Sequence, residues 1–229
     1  MFRDTIKGLD RIFYTDIRPP KVILITGPPG SLKSAFVYSV LTKYLEQTGE
    51  FGLYVTLEES VDSHLENMES LGINFCFNLQ ISDFNEIRGE DELEIDYLEF
   101  TRNMIEHFKR KKGEKFTCFA FDSLGALYSL MSQENLRRKM YHFFRILRDH
   151  NLYSFIIMER DPNGPPQLLG NEGFLSDGII LLGLHRSQGK LTRFIQVEKM
   201  RAAKHAMERY SIDVREDGLY IMGPLFDTD

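Results

Sequence analysis

Short apolar runs alternate along the chain with stretches whose apolar residues recur every three or four positions. The first run, Lys21 to Thr26, is rich in β-branched residues and is typical of a buried strand. Apolar residues then follow at helical spacing: Phe36, Val37, Val40, Leu41, Tyr44 and Leu45. Strands that alternate with helices favour βαβ units and a mainly parallel sheet.

The same pattern predicts further strands at 52–57, 78–82, 116–121 and 154–158. Between them it predicts a helix capped by Ser60, a helix through Ile105 and Phe108 that ends at 109–113, and a helix over 136–147. A loop is expected over 161–176. The last fifty residues change character, because the runs 179–184 and 191–197 flank a turn and indicate a hairpin, with short strands to follow at 210–214 and 219–222. We therefore expect an α/β fold with a mainly parallel central sheet, flanking helices and antiparallel C-terminal strands.

Composition narrows the class of protein. With 229 residues, 42% of them apolar, the chain can bury a large core, and we expect one domain over residues 1–229. Two cysteines are too few for a disulfide framework. The sequence contains neither an apolar stretch of about 20 residues that could span a membrane nor a secretory signal. We therefore expect a cytoplasmic protein with no membrane partner.

Charge disfavours a dedicated nucleic-acid binder, because the net charge is -6. The basic run Lys109 to Lys112 suits the C-terminus of a helix, where cations interact favourably with the dipole. The acid-rich stretch 86–99 is interpreted as an exposed loop or a solvated helix face.

A candidate phosphate-binding loop lies between the first predicted strand and the first predicted helix. Its residues are Gly27, Pro28, Pro29, Gly30, Ser31, Leu32, Lys33 and Ser34. Small residues let backbone N–H groups turn towards the phosphates, a lysine reaches the β- and γ-phosphates, and a hydroxyl suits Mg²⁺. The helix N-terminus would also face the anion. The pattern departs from the usual one at Leu32, where a glycine is expected before the lysine.

Two acidic features follow predicted strands. Glu58 and Glu59 come after the second strand, and adjacent side chains on an extended strand point to opposite faces, so one carboxylate at most would address a terminal phosphate. Such a carboxylate could orient and deprotonate a water molecule, although a pair of this kind is also typical of a solvated turn. Asp122 ends the run FTCFAF. An acid at this place supports a metal ion in phosphoryl-transfer enzymes, and a helix or turn cap is the alternative.

In chain order these motifs resemble a RecA-type P-loop ATPase and, more narrowly, a single KaiC-type domain. The resemblance begins at Gly8-Leu9-Asp10 and continues through GPPGSLKS, VTLEES and FAFDS. It ends with EGFLSDGIILL and VEKMRAAKH, which generic P-loop proteins lack.

The resemblance implies a role for each matching residue, with ATP and Mg²⁺ as the cofactors. Lys33 would contact the phosphates, Ser34 would bind Mg²⁺ and Asp122 would support the metal. Glu58 would activate water, with Glu59 as its partner.

In this family the lysine and arginine of the KMR segment reach into the site of the next subunit. Here these residues are Lys199 and Arg201. They would neutralise charge that develops during the transfer of the phosphoryl group. A residue supplied in trans requires a head-to-tail interface that closes into a ring, so the resemblance implies a homohexamer.

Two other departures limit what the resemblance carries over. The segment Tyr14 to Pro20 lacks the usual pair of glycines. The position of the phosphorylated Ser-Thr pair of the clock protein falls near Gly173 and Phe174, which have no hydroxyl, so autophosphorylation is not expected.

Three functions remain open from the sequence. The first is a slow, ring-forming ATPase that switches a protein partner. The second is a regulatory module that binds nucleotide without significant hydrolysis. The third is a DNA-binding accessory related to recombinases.

Overall fold

The computed structural model describes residues 1–84, 96–131, 134–160, 172–187 and 189–225. Its strands are β1 Lys21–Gly27, β2 Phe51–Thr56, β3 Leu79–Asp83, β4 Phe116–Asp122, β5 Tyr153–Glu159, β6 Gly178–Ser187, β7 Lys190–Met200, β8 Tyr210–Arg215 and β9 Gly218–Pro224. Within the described residues these nine strands form one sheet in the order β3-β2-β4-β5-β1-β6-β7-β8-β9. In this spatial order, neighbouring strands pair in parallel from β3 at one edge as far as β6. From β6 to β9 at the other edge, neighbouring strands pair antiparallel.

Helices cover both faces of the parallel part of the sheet. They are α1 Lys33–Thr48, α2 Val61–Ser70, α3 Tyr97–Lys112, α4 Leu124–Leu130, α5 Leu136–Asp149 and α6 Glu172–Leu175. One core cluster joins the sheet to α1, α2 and the N-terminal segment, residues 2–17. A second cluster joins the sheet to α3, α4 and α5. Both faces of the central strands are therefore buried, which explains why these strands are mostly apolar, with Thr26 and Ser154 among the buried polar exceptions.

Capping residues fix where two helices begin. The Ser60 side chain accepts a hydrogen bond from the N–H of Ser63 at the start of α2, as the sequence predicts. Asp96 accepts from the N–H groups of Leu98 and Glu99 at the start of α3.

The basic end of α3 is partly engaged in packing. Lys109 Nζ donates to the Phe116 carbonyl, and Lys112 Nζ lies 4.6 Å from the centre of the Phe51 ring. These contacts fit the interpretation of this run as the end of a helix.

The N-terminal segment lies along the outer edge of β9. Lys7 forms a parallel bridge with Tyr220, and the N–H of Ile221 donates to the Lys7 carbonyl. Arg11 donates to the Met222 carbonyl. The next residue after Lys7, Gly8, has a φ of 89°, and a Cβ atom there would lie 2.1 Å from the Ile221 carbonyl oxygen. The close approach of this segment to β9 therefore depends on glycine at position 8.

The α/β fold, the mixed sheet and the C-terminal hairpin are confirmed, with strand and helix bounds within a few residues of those expected. Two short helices differ from expectation. Helix α4 is absent from the sequence-based expectation, because its seven residues are too few to show helical periodicity. The helix α6 lies inside the predicted loop 161–176, of which residues 161–171 fall outside the described part of the chain. The acid-rich stretch also lies largely outside the described residues, and α3 begins at its end.

Replacing Gly8 by alanine is expected to lower the free energy of unfolding by about 3 kcal/mol, since the substitution adds a steric clash and left-handed backbone strain. Denaturant unfolding followed by circular dichroism measures the change. The control is Gly223→Ala, because a Cβ atom at Gly223 meets nothing within 4 Å. Equal stability of the two variants would contradict the close approach of Gly8 to the Ile221 carbonyl.

Candidate active site

The candidate phosphate-binding loop connects β1 to α1 at the carboxyl edge of the parallel strands. Gly27 has a φ of 152°, and a Cβ atom on it would lie 1.9 Å from the Leu182 carbonyl oxygen, so a larger residue does not fit. Gly30 has a φ of 77° and has open space where a Cβ atom would be. Ser31 is buried and its hydroxyl donates to the Pro28 carbonyl. The loop thus turns tightly against β6 and leads directly into the first turn of α1.

Leu32 holds a backbone conformation that glycine ordinarily supplies. Its φ of 72° and ψ of 28° are left-handed, a conformation that costs a non-glycine residue about 1 to 2 kcal/mol. The leucine side chain is partly buried against the core on the α1 side of the sheet, which offsets this cost. The departure from the usual pattern therefore leaves the loop in a turn of the glycine type.

Lys33, the first residue of α1, lies in the electrostatic field of three carboxylates. Its Nζ atom donates to the Pro28 carbonyl at 3.0 Å. Burial lowers the pKa of Lys33, and the carboxylates of Glu159, Asp122 and Glu58 oppose that shift. The carboxylates support a positive charge at the point where the loop meets α1.

Asp122, the last residue of β4, is buried and accepts two hydrogen bonds at the same oxygen. Ser34 Oγ and the Tyr54 hydroxyl each lie 2.7 Å from Asp122 Oδ2. Burial raises the pKa of Asp122 to about 6, while the two hydroxyl donors act in the opposite direction and Glu58 and Glu59 add to the rise. This carboxylate therefore joins β4 to α1 and to β2.

The acid pair after β2 separates, with the two carboxylates held by different elements. The Thr56 hydroxyl accepts hydrogen bonds from the N–H groups of both glutamates, at 3.3 and 3.2 Å, so the chain turns as soon as β2 ends. Glu58 Oε1 accepts a short hydrogen bond from Ser123 Oγ, beside the end of β4.

Glu59 faces α2 instead. Its Oε2 atom accepts from Asn67 Nδ2 at 3.2 Å and lies 3.7 Å from His64 Nδ1. Of the two carboxylates, Glu58 is the one placed with Ser34 and Asp122. The arrangement comes from a turn and not from the alternation of side chains on an extended strand.

Lys199 and Arg201 lie near the opposite end of the sheet from the loop of their own chain. Lys199 Nζ donates to the carbonyls of Gly173 and Ser176, at 2.8 and 2.7 Å. Arg201 Nη1 lies 3.5 Å from Asp177 Oδ1. The same carboxylate accepts a hydrogen bond from the N–H of Val22 near the start of β1, so it marks the end of β1 that is remote from the loop.

Gly27 lies five residues further along β1 than Val22, which is roughly 16 Å along a strand. Burial and the neighbouring Arg201 lower the pKa of Lys199. The structure therefore brings Lys33, Ser34, Asp122 and Glu58 together, and it does not place Lys199 and Arg201 with them in one protomer.

Four further residues border this site and carry no role predicted from the sequence. They are Tyr54 and Ser123, which hold the carboxylates of Asp122 and Glu58, Glu159, which is paired with Gly27 across β1 and β5, and Arg193, whose Nε atom donates to the Gly30 carbonyl at 3.2 Å. A tyrosine inside a fully buried strand was a usable signal for Tyr54, because its hydroxyl needs a partner. Arg193 carried no comparable signal, since its contact depends on the register of the β6–β7 hairpin.

The raised pKa of Asp122 predicts how stability depends on pH. An unfolded aspartate titrates near 3.9, so from about pH 4 to pH 6 the folded chain keeps a proton that the unfolded chain has lost. Raising the pH therefore lowers the free energy of unfolding of the wild type through this group.

The Asp122→Asn variant lacks this titration, and its stability relative to the wild type is expected to rise by about 2 kcal/mol between pH 4 and pH 7. Urea unfolding at several pH values measures the difference. A difference that does not change with pH would contradict the buried carboxylate.

Comparison with known proteins identifies the family. The family model for the KaiC ATPase matches residues 2–225. A UPF0273 protein of Aeropyrum pernix is 30% identical over 94% of this chain and 91% of its own length. The circadian clock protein KaiC2 of Synechocystis is 27% identical over 95% of this chain, which corresponds to 39% of that longer protein.

The crystal structure of a KaiC-like protein from Pyrococcus horikoshii OT3 shares the fold. Its TM-score is 0.79 at 22% identity, with 95% of this chain and 96% of that chain covered. No helix within the described ranges is both long enough and apolar enough to cross a membrane. The match to the family model over nearly the whole length shows that this chain belongs to the KaiC family of RecA-type P-loop ATPases.

Proposed function

We propose that this chain is a slow, Mg²⁺-dependent ATPase that forms a ring and acts as a switch for a protein partner. One observation carries the proposal: the loop Gly27–Ser34, the buried Asp122 and Glu58 meet at the carboxyl edge of the sheet. Open α/β sheets bind their ligands at this edge. The combination supplies an anion-binding loop, a cation, a hydroxyl and a carboxylate at one place.

The residues of the loop suit a triphosphate. Gly27 and Gly30 allow the backbone to turn, and the N-terminus of α1 adds the positive end of its dipole. Lys33 would exchange its hydrogen bond to the Pro28 carbonyl for one to the β- and γ-phosphates. ATP is the nucleotide that the family membership favours.

The hydroxyl of Ser34 and the carboxylate of Asp122 suit Mg²⁺, which prefers oxygen ligands together with water and phosphate. Ser34 would bind the metal directly. Asp122 would support the metal indirectly, by accepting the hydrogen bond that orients the Ser34 hydroxyl. When bound, the metal would neutralise charge on the phosphates.

Glu58 would act as the general base for hydrolysis. The oxygen of a water molecule attacks the γ-phosphorus, the bond from phosphorus to the β–γ bridging oxygen breaks, and that electron pair leaves with ADP. The carboxylate of Glu58 takes the proton from the water. Ser123 holds one oxygen of Glu58, so this side chain has a fixed position before any substrate binds. Glu59, held by Asn67 on the α2 side, would support its neighbour through the turn.

Lys199 and Arg201 would serve the site of the adjacent subunit. In one protomer they lie away from their own loop, and the side chain of Arg201 is 56% exposed. Lys199 would leave the carbonyls of Gly173 and Ser176 when it reaches the neighbouring phosphate. A contribution in trans requires a head-to-tail interface, which supports a closed homohexamer with nucleotide between the subunits.

Glu58→Gln is expected to reduce phosphate release from ATP and Mg²⁺ by at least about a hundredfold while ATP binding is kept, because the amide cannot accept the proton of the attacking water. A coupled phosphate assay and a binding titration with a nonhydrolysable ATP analogue measure the two effects.

The matched control is Glu59→Gln, for which we expect a smaller loss, since this carboxylate faces α2. Tight ATP binding by a wild type that releases no phosphate would support the regulatory module without hydrolysis. Equal losses in the two variants would contradict the assignment of the base to Glu58.

Mixing two inactive variants tests the role in trans. Lys33→Ala lacks a functional loop, and Arg201→Ala lacks the residue offered to the next subunit. In randomly mixed rings about a quarter of the sites combine an intact loop with an intact Arg201, so mixing is expected to restore about a quarter of the wild-type rate.

Adding the double variant Lys33→Ala/Arg201→Ala to Lys33→Ala is the control and restores nothing. Full activity of Arg201→Ala alone would refute the role in trans.

A further inference from the structure

Tyr54 places a hydroxyl group on the carboxylate that we assign to metal support. The side chain is fully buried in β2, and its hydroxyl donates to Asp122 Oδ2 at 2.7 Å. Ser34 Oγ donates to the same oxygen at the same distance. Burial raises the pKa of Tyr54 well above its ordinary value, so the phenol remains a hydrogen-bond donor. Asp122 is thus held from two directions, by α1 and by β2.

The ring of Tyr54 has little freedom to move. The centre of the His64 ring lies 4.6 Å from its own, and the centre of the Tyr38 ring lies 6.2 Å away on the α1 side. His64 and Tyr38 are themselves buried, and the centres of their rings lie 5.3 Å apart. Because these aromatic rings fix the phenol, its hydroxyl occupies one position relative to β4.

Packing alone does not account for this hydroxyl. A phenylalanine would fill nearly the same space, and burying an extra hydroxyl costs free energy unless it is hydrogen-bonded. Here the partner is a carboxylate, which accepts a stronger hydrogen bond than a neutral group does. The contribution of this hydroxyl beyond packing is its hydrogen bond to Asp122.

We propose that Tyr54 is a positioning residue: its hydroxyl fixes the Asp122 carboxylate and thereby sets how tightly Mg²⁺ is held together with a bound nucleotide. This inference rests on the proposed function. Groups that orient a metal-supporting carboxylate influence metal affinity without touching the metal, and their loss typically costs tenfold or more in that affinity. Two donors on Oδ2 prevent the carboxylate from turning, whereas Ser34 alone leaves it free to rotate about that single hydrogen bond.

The test compares Tyr54→Phe with the wild type in binding titrations of a nonhydrolysable ATP analogue, first in EDTA and then over a range of Mg²⁺ concentrations. In EDTA both proteins are expected to bind the analogue with affinities that agree within about twofold, because the loop is unchanged. With Mg²⁺, the concentration that gives half of the metal-dependent gain in affinity is expected to rise about tenfold in Tyr54→Phe.

Tyr38→Phe is the matched control, since it removes a buried phenol from the same group of rings without touching Asp122, and we expect its Mg²⁺ dependence to equal that of the wild type. An unchanged Mg²⁺ dependence in Tyr54→Phe, or an equal shift in Tyr38→Phe, would overturn the inference and leave the proposed function in place. A wild type that binds no ATP analogue with Mg²⁺ would overturn both.

Discussion

The buried carboxylate of Asp122 is the point on which the arrangement of the site depends. Its Oδ2 atom accepts hydrogen bonds from the hydroxyl groups of Ser34 in α1 and Tyr54 in β2, and Asp122 itself ends β4. Burial makes a charge in this position costly and raises the pKa of the carboxyl group. The fold tolerates the cost because the two donors compensate part of it, and the result is a carboxylate held at the junction of three elements.

The loop and the acid pair are arranged around this junction. Because β6 passes close to the turn at Gly27, only glycine fits at that position. Leu32 then adopts the left-handed conformation that leads into α1. On the other side, the Thr56 hydroxyl turns the chain after β2 so that Glu58 meets Ser123. The electrostatics of Lys33 link the two halves, since carboxylates from β4, β5 and the acid pair all support its charge.

The sequence was sufficient for the framework and for selecting Lys33, Ser34, Glu58 and Asp122, which the structure brings together. Periodicity predicted the central strands and long helices, because each buries one or both faces in the core. It could not predict the bonds that orient the site, such as those of Tyr54 and Ser123, because they join residues 68 and 65 positions apart in the chain. It also could not show that the glutamates separate through a turn, since that depends on a hydroxyl at Thr56 acting on two successive backbone amides.

The strip of chain around Lys7 and Arg11 has a consequence for how copies of this protein can meet. It occupies hydrogen-bonding groups along the outer side of β9 that would otherwise be free to join another sheet. An unprotected edge strand can pair with a strand of another molecule, and such pairing can lead to aggregation. Because residues 7–11 occupy the outer edge of β9, this strand is closed to pairing with a strand of another molecule, and an interface on this side of the sheet would have to use side chains.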